Sequence, residues 1–235
     1  MNTLQTEIDV HFTLDEIRDR ILNEKNKPIT ADFINGIFKT LNSDHKIQNL
    51  ENYQLAMIHK SYLESNVNDN PKTMKLLKDI TPIDPKLRKK GYPLQKESYE
   101  RLEFLGDSII RHAIGKYLFQ RYRNEDEGFL TMNRSKLENK NALSTLARKL
   151  GIQEYAIIAR NIEEVNGRLN YVNLTEDIFE SFIGAVNLEV GDDRSVEFLW
   201  KILELEGDMA ETISSQTNYK DMLMQYYHKF DVKRH

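Results

Sequence analysis

The sequence predicts an all-α fold, and three observations support this prediction. The 235 residues include only 10 Gly and 5 Pro, so signals for turns are sparse. The stretches between them are rich in Leu, Glu, Lys, Ala and Arg, which have high helix propensity. Alternation of apolar and polar residues with a period of two, typical of strands, is hard to find. The one plausible hairpin or loop is the segment 161–171, centred on Asn166-Gly167.

The composition restricts the class of protein. With 40% hydrophobic and 30% charged residues, the composition is ordinary for a soluble globular protein, and the length of 235 residues allows one domain with appendages or two small domains. No apolar run approaches the roughly 18 residues of a membrane span, and the first residues lack the basic and apolar regions of a secretory signal. The absence of Cys excludes disulfides, thiol catalysis and Cys-based zinc sites, and it fits an intracellular location, cytoplasmic or nuclear. A net charge of −4 argues against a uniformly basic nucleic-acid binder.

Residues 1–48 are predicted to form a helical extension. Thr13 begins a capping-box pattern that predicts a helix toward Asn23, and Pro28 ends this segment. Thr30 can cap a second helix that continues to about Leu41. The extension is expected to pack on the main body, and the alternative is an arm that binds a partner.

The segment 64–96 differs from its neighbours in amino-acid composition. It begins with polar, turn-forming residues and is predicted to be a long loop. The loop carries a basic run that consists of Lys86, Arg88, Lys89 and Lys90. This run is either a solvated surface or a contact to an RNA backbone, because Lys and Arg supply phosphate affinity that does not depend on sequence.

Two acidic helix faces do not fit a plain division into core and surface. On a helix, Glu100, Glu103 and Asp107 share one stripe about 60° wide, opposite to apolar residues. Gly106 lies within this stretch and costs about 1 kcal/mol relative to Ala in a helix interior. We therefore expect another backbone or a ligand to approach closely at Gly106.

The second acidic face lies in a helix that is too apolar for the surface. Asp177 and Glu180 are neighbours on one face, which also carries Gly184. If both faces meet, carboxylates about 4 Å apart repel by about 4 kcal/mol at an effective dielectric near 20. Such a cleft requires protonation or a hard cation such as Mg²⁺ or Mn²⁺, which is the setting of metal-assisted phosphodiester hydrolysis. The alternative is two separate, solvated faces that never meet.

The segment Glu100–Ser108 closely resembles the nine-residue signature of the ribonuclease III family. Further blocks follow in the order typical of that family, at 55–62, 127–137 and 177–185. The resemblance extends from about Gln54 to about Glu206. It implies a ribonuclease III endonuclease domain over 49–212, with the basic loop at 64–96 as an insertion.

The resemblance also implies the activity. A member of this family is a homodimer that cuts double-stranded RNA with Mg²⁺ or Mn²⁺ and leaves 5′-phosphate and 3′-hydroxyl ends with short 3′ overhangs. By motif, four acids take the positions of catalytic residues and metal ligands: Glu103, Asp107, Asp177 and Glu180. Glu100 and Glu127 match accessory acids, and Phe104 matches an aromatic residue that inserts into the partner subunit.

Two further expectations concern the C-terminal segment and an alternative function. The segment 213–235 resembles a linker and the first helix of a truncated double-stranded-RNA-binding domain. The alternative function is that of a catalytically inactive ribonuclease III-like protein that binds RNA or associates with ribosomes. Proteins of that kind lose catalytic acids, whereas all four positions are filled here. His59 is expected to make a structural hydrogen bond.

Overall fold

The computed structural model describes residues 14–67 and 91–205 and confirms the all-α prediction. Short 3₁₀ turns lie at Lys60–Tyr62, Glu64–Val67 and Ile152–Tyr155. Within the described ranges, β-structure is limited to isolated bridges, and no strand is present. The helices are α1 (Leu14–Ile21), α2 (Ala31–Thr40), α3 (Leu50–Leu55), α4 (Glu100–Arg121), α5 (Glu127–Leu137), α6 (Lys140–Leu150), α7 (Arg160–Glu164), α8 (Gly167–Asn170), α9 (Val172–Val190) and α10 (Asp192–Leu205). In these ranges, no helix has both the length and the apolar character needed to cross a bilayer.

Polar side chains define where several helices begin. Thr30 accepts a hydrogen bond from the Phe33 backbone N–H, which confirms the predicted cap of α2. Asp126 and Asn139 cap α5 and α6 in the same way. The α6 helix ends at Gly151, whose φ of 73° is the left-handed conformation that glycine adopts without strain.

The α9 helix forms the centre of the fold. It packs mainly against α4, with α6 and α10 as further neighbours. Apolar residues surround it on nearly all sides, which is typical of a buried helix rather than an amphipathic surface helix. Its completely buried apolar side chains are Ile178, Phe179, Phe182, Ile183, Ala185 and Val186.

The α4 and α9 helices touch through their backbones at two glycines. A Cβ atom on Gly106 would overlap the backbone oxygen of Glu180, and one on Gly184 would overlap the backbone oxygen of Leu102. The close approach that we expected at Gly106 is therefore confirmed. This contact brings the two acidic faces to the same side of the helix pair.

The described part of the N-terminal extension shares the core of the fold. Ile17 of α1 and Ile34 and Phe38 of α2 are buried. The side chain of Asn26 donates to the backbone oxygen of Ile158 at 3.0 Å, and the Ile158 N–H returns a bond to the Asn26 side chain. Residues 14–41 are thus tied to the main body by packing and by buried hydrogen bonds.

The prediction of a hairpin or loop at 161–171 was wrong. The segment forms two short helices, α7 and α8, and Asn166 separates them with a positive φ of 55°. The buried side chain of Arg168 stabilises this arrangement because it donates to the backbone oxygens of Glu154 and Ala156 and pairs with Glu163 at 2.7 Å. The turn signal at Asn166-Gly167 was correct, but it connects helices rather than strands.

Three predictions concern residues outside the described ranges. The basic run of Lys86, Arg88, Lys89 and Lys90 lies there, as do Thr13 and the segment 213–235. The two ends of the predicted loop are described and lie side by side. The backbone N–H of Glu64 donates to the oxygen of Gln95 at 2.8 Å, and the Gln95 N–H donates to the oxygen of Tyr62 at 3.1 Å.

Candidate active site

The two acidic faces meet in one open cleft between α4 and α9, which we call the acidic cleft. Carboxylate oxygens of Glu103, Asp177 and Glu180 lie within 4.8 Å of one another. Asp107 lines the same cleft, one helical turn beyond Glu103, and its carboxylate accepts a hydrogen bond from Arg111 Nε at 2.8 Å. The cleft has a volume of about 600 Å³. The four predicted acids are thus brought together, with three of them in a tight group.

Helix geometry places these side chains. Glu103 and Asp107 are four residues apart on α4, and Asp177 and Glu180 are three residues apart on α9, so each pair lies on one face of its helix. The backbone contact at Gly106 holds the two faces close enough to share a ligand. A Cβ atom at this position would push the acid pairs apart.

Burial and mutual repulsion change the proton affinity of the central acids. Burial, followed by the charges of Asp107 and other nearby carboxylates, raises the pKa of Glu180 to about 8. The same causes raise the pKa of Glu103 to about 7, with burial first and Asp177 next. Burial also raises the pKa of Asp177, although the hydroxyl of Tyr99 opposes this by donating to its carboxylate at 2.9 Å.

This electrostatic arrangement fits a hard divalent cation. The donor set offers only carboxylate oxygens, which suit Mg²⁺ or Mn²⁺ rather than a soft metal. Burial first, and then the charges of neighbouring carboxylates, raise the pKa of Glu103 and of Glu180, so both groups favour neutralisation. A bound cation would neutralise them without protons.

The two predicted accessory acids lie in different places. Glu100 lines the acidic cleft, where Ser98 Oγ donates to it at 3.0 Å and Lys60 Nζ lies 3.3 Å away, and both contacts lower its pKa. Glu127 is exposed at the start of α5 and accepts a hydrogen bond from Thr131 at 2.7 Å. It is not part of the cleft wall, and its accessory role stays a prediction.

Sequence reasoning missed several residues of the acidic cleft. Glu176 is a further, buried acid of the α4–α9 pair, and Lys140 Nζ lies 3.3 Å from its carboxylate. The spacing of four residues to Glu180 could have revealed Glu176. The cations Lys60 and Lys140 left no comparable signal, because they come from elements that are distant in the sequence.

Two other predicted residues have clear environments. Phe104 borders the cleft and is 77% exposed, so it is not a core residue of the described chain. Its contact with a partner subunit stays a prediction. His59 makes the expected structural hydrogen bond, since its Nδ1 accepts from the Ser61 backbone N–H at 3.1 Å.

Comparison with known proteins supports the resemblance. Residues 89–205 match a family model described as Ribonuclease-III-like. A probable ribonuclease 3 of Acanthamoeba polyphaga mimivirus is 35% identical over 228 residues, which cover 94% of this chain and 40% of that protein. Ribonuclease 3 of Sulfurovum sp. is 35% identical over 165 residues, which cover 70% of both proteins. The chain therefore spans less than half of the viral relative.

A solved structure shows the same fold. The nuclease domain of ribonuclease III from Campylobacter jejuni superposes with a TM-score of 0.54 at 23% sequence identity. The match covers 73% of this chain and 96% of that domain. The likeness extends over nearly the whole of that domain, so it establishes the architecture.

Proposed function

The chain belongs to the ribonuclease III family, and from this premise we propose that it cleaves double-stranded RNA by metal-dependent phosphodiester hydrolysis. The observation that carries the proposal is the convergence of Glu103, Asp177 and Glu180 within 4.8 Å in an open cleft. A cleft of this kind can accept a phosphodiester once a cation has neutralised the carboxylates. The filled acid positions argue against the inactive alternative.

The residues of the acidic cleft have distinct tasks in this proposal. Glu103, Asp177 and Glu180 would hold Mg²⁺ or Mn²⁺. Asp107 would become a further ligand once its ion pair with the exposed Arg111 is broken. When bound, the metal supplies Lewis-acid stabilisation of the phosphate charge and activation of water. Lys60 and Lys140, both exposed on the rim of the cleft, place positive charge beside Glu100 and Glu176.

Water is the proposed nucleophile, because the described residues that line the cleft include no Ser, Thr or Cys and its carboxylates are assigned to the metal. The chain has no Cys. The hydroxyl of Tyr99 donates to Asp177, and burial raises its pKa, so it remains protonated at neutral pH. Hydrolysis in the manner of the family leaves 5′-phosphate and 3′-hydroxyl ends, and paired cuts give short 3′ overhangs.

We further propose a homodimer. Phe104 is exposed on α4, and its neighbours Leu102 and Leu105 on that helix line an open cavity of about 670 Å³. The apolar part of the cavity wall consists of Leu55, Leu63, Leu102, Leu105 and Leu188. An exposed aromatic ring on the helix that also contributes leucines to a cavity wall favours reciprocal insertion in a two-fold dimer, since each copy offers both surfaces. The nuclease domain from Campylobacter jejuni likewise has a flexible region that is involved in dimer formation.

The test of the proposed activity uses an end-labelled RNA duplex with Mg²⁺, with Mn²⁺ or with a chelator. We expect cleavage only with metal, and mapping of the product ends should show 5′-phosphate and 3′-hydroxyl groups. Glu180→Gln and Asp107→Asn should each reduce the rate by at least about 100-fold, because electrostatic stabilisation of this kind is commonly worth that much. Glu125→Gln, an exposed acid outside the cleft, is the matched control. Duplex binding without any cleavage would support the inactive alternative.

A further inference from the structure

A second pocket opens directly beside the acidic cleft, and the proposed hydrolysis uses only the residues that the two have in common. It shares Lys60 and Asp177 with the cleft and has a volume of about 530 Å³. Its other side is formed by the end of α8 and the start of α9, including Asn170, Tyr171 and Asn173. The volume lies within the range of about 300–1,000 Å³ that is typical of small-molecule sites.

The chemistry of this pocket differs from that of the acidic cleft. Among the described residues of its wall, Asp177 at the shared edge is the one carboxylate, and the remaining polar groups are amides, a phenol, an imidazole and the Lys60 ammonium. Asn170 and Asn173 are exposed, and the ring of Tyr171 is 46% exposed. Neutral groups that both donate and accept hydrogen bonds suit a hydroxyl ligand rather than a metal ion.

Two contacts determine which groups can donate into the pocket. Lys140 Nζ donates to the side-chain oxygen of Asn173 at 3.3 Å, so the amide nitrogen is the donor that Asn173 can offer to a ligand. Burial lowers the pKa of His59 to about 4, so its ring is neutral at pH 7. Because Nδ1 accepts from Ser61, the ring proton of His59 lies on Nε2.

The position of the pocket relates it to the strand that enters the acidic cleft. A phosphodiester at the three central acids has a nucleotide on each side, and the pocket that shares Lys60 and Asp177 with the cleft adjoins this position. Proteins recognise duplex RNA chiefly through phosphates and 2′-hydroxyl groups across its wide, shallow minor groove. An ammonium beside neutral amides matches this pair of groups.

We propose that this pocket binds the sugar–phosphate of the nucleotide next to the scissile phosphate. In this subsite, Asn170 and Asn173 bond the 2′-hydroxyl, the ring of Tyr171 packs against the ribose, and Lys60 contacts the phosphate. The proposal rests on the proposed function and adds to it a requirement for a ribose at one defined position. The enzyme would therefore distinguish RNA from DNA at a nucleotide beside the cut.

The experiment combines protein variants with altered substrates. Single-turnover cleavage of an RNA duplex is measured for the full chain and for Asn170→Ala, Asn173→Ala, Tyr171→Ala and Tyr171→Phe. Each protein is also given duplexes with one 2′-deoxynucleotide, placed in turn at each of the three positions on either side of the mapped cut. Leu169→Ala, an exposed residue next to the pocket but outside its wall, is the matched control.

We expect one position at which the 2′-deoxy substitution slows the unaltered protein by about 3- to 10-fold, the usual effect of one lost hydrogen bond. Asn170→Ala or Asn173→Ala should slow cleavage of the all-RNA duplex by a similar factor and become insensitive to that substitution. Tyr171→Phe should retain the rate, whereas Tyr171→Ala should lose it. Melting temperatures show whether each variant is folded. If Tyr171→Ala does not fold, Asn170→Ala still tests the proposal, because Asn170 is exposed.

Two results would overturn the proposal in distinguishable ways. If the unaltered protein cuts the duplex but all pocket variants keep its full sensitivity to 2′-deoxy substitution, the subsite is wrong and the proposed function stands. If the unaltered protein cuts no duplex with either metal, the proposed function fails and the subsite fails with it.

Discussion

Glu180 combines burial with several negative neighbours. Glu180 is 8% exposed, and its carboxylate is close to carboxylates from both α4 and α9. Burial is the first cause of its raised pKa, and the charge of Asp107 is the next. Without metal, this residue therefore holds a proton at pH values where an ordinary glutamate is ionised.

This pKa shift predicts how the stability of the metal-free protein depends on pH. Between an ordinary value of 4.5 and about 8, the folded state binds a proton at Glu180 that the unfolded state lacks. Stability must then decrease as the pH rises through this window. In the presence of a chelator, we expect the melting temperature to decrease between about pH 5 and pH 8 and Glu180→Gln to weaken that decrease. Mg²⁺ should raise the melting temperature most at the upper end.

Calorimetry from pH 5 to pH 8.5, with chelator and with Mg²⁺, measures these effects. Glu125→Gln should retain the full pH dependence, because this exposed residue lies outside the acidic cleft. The same pH dependence in Glu180→Gln and in the unaltered protein would contradict the assignment of the shift to Glu180.

At the scale of helices, the contact between α4 and α9 was partly predictable. A helical period identifies both acidic faces, and the cost of Gly106 within a helix indicates a close neighbour. Charge repulsion then suggests a shared cation, but it does not say which face meets which. The rim cations Lys60 and Lys140 could not be predicted, because no local period connects them to the acids.

The glycine contact leads to a prediction about stability. In Gly106→Ala, the new methyl group would overlap the backbone oxygen of Glu180, so the helices must separate. Overpacking of this kind costs about 1–3 kcal/mol or more, and here it acts on backbone that cannot rotate away. We expect a loss of at least about 2 kcal/mol in the free energy of unfolding, measured by urea denaturation, together with weaker metal binding.

Gly115 on the same helix provides the control. An added Cβ atom there meets nothing within 4 Å, so Gly115→Ala should gain about 0.5–1 kcal/mol from reduced freedom of the unfolded chain. Equal effects at both positions would mean that the close approach of α4 and α9 does not control stability.

At the scale of the whole molecule, the N-terminal segment and the segment 161–171 form one buried polar network. Asn26 and Arg168 lie 142 residues apart, yet the guanidinium donates to the asparagine oxygen at 3.1 Å. A local reading of the sequence could place a turn at Asn166 but could not detect this long-range partner. Tertiary contacts of this kind explain why helices formed where the turn signal suggested a hairpin.

The proposed dimer predicts unequal roles for two exposed phenylalanines of α4. Phe104 is 77% and Phe119 is 71% exposed, and they are 15 residues apart, or about 22 Å along the helix. Burying one phenylalanine is worth about 1.5–3 kcal/mol, and a two-fold dimer buries two. Phe104→Ala should therefore raise the dimer Kd by about 100-fold to 10,000-fold in sedimentation equilibrium, while the melting temperature of the monomer stays unchanged. Phe119→Ala, which lies away from the leucine-lined cavity, should dimerise normally. An unchanged Kd for Phe104→Ala would place the interface elsewhere.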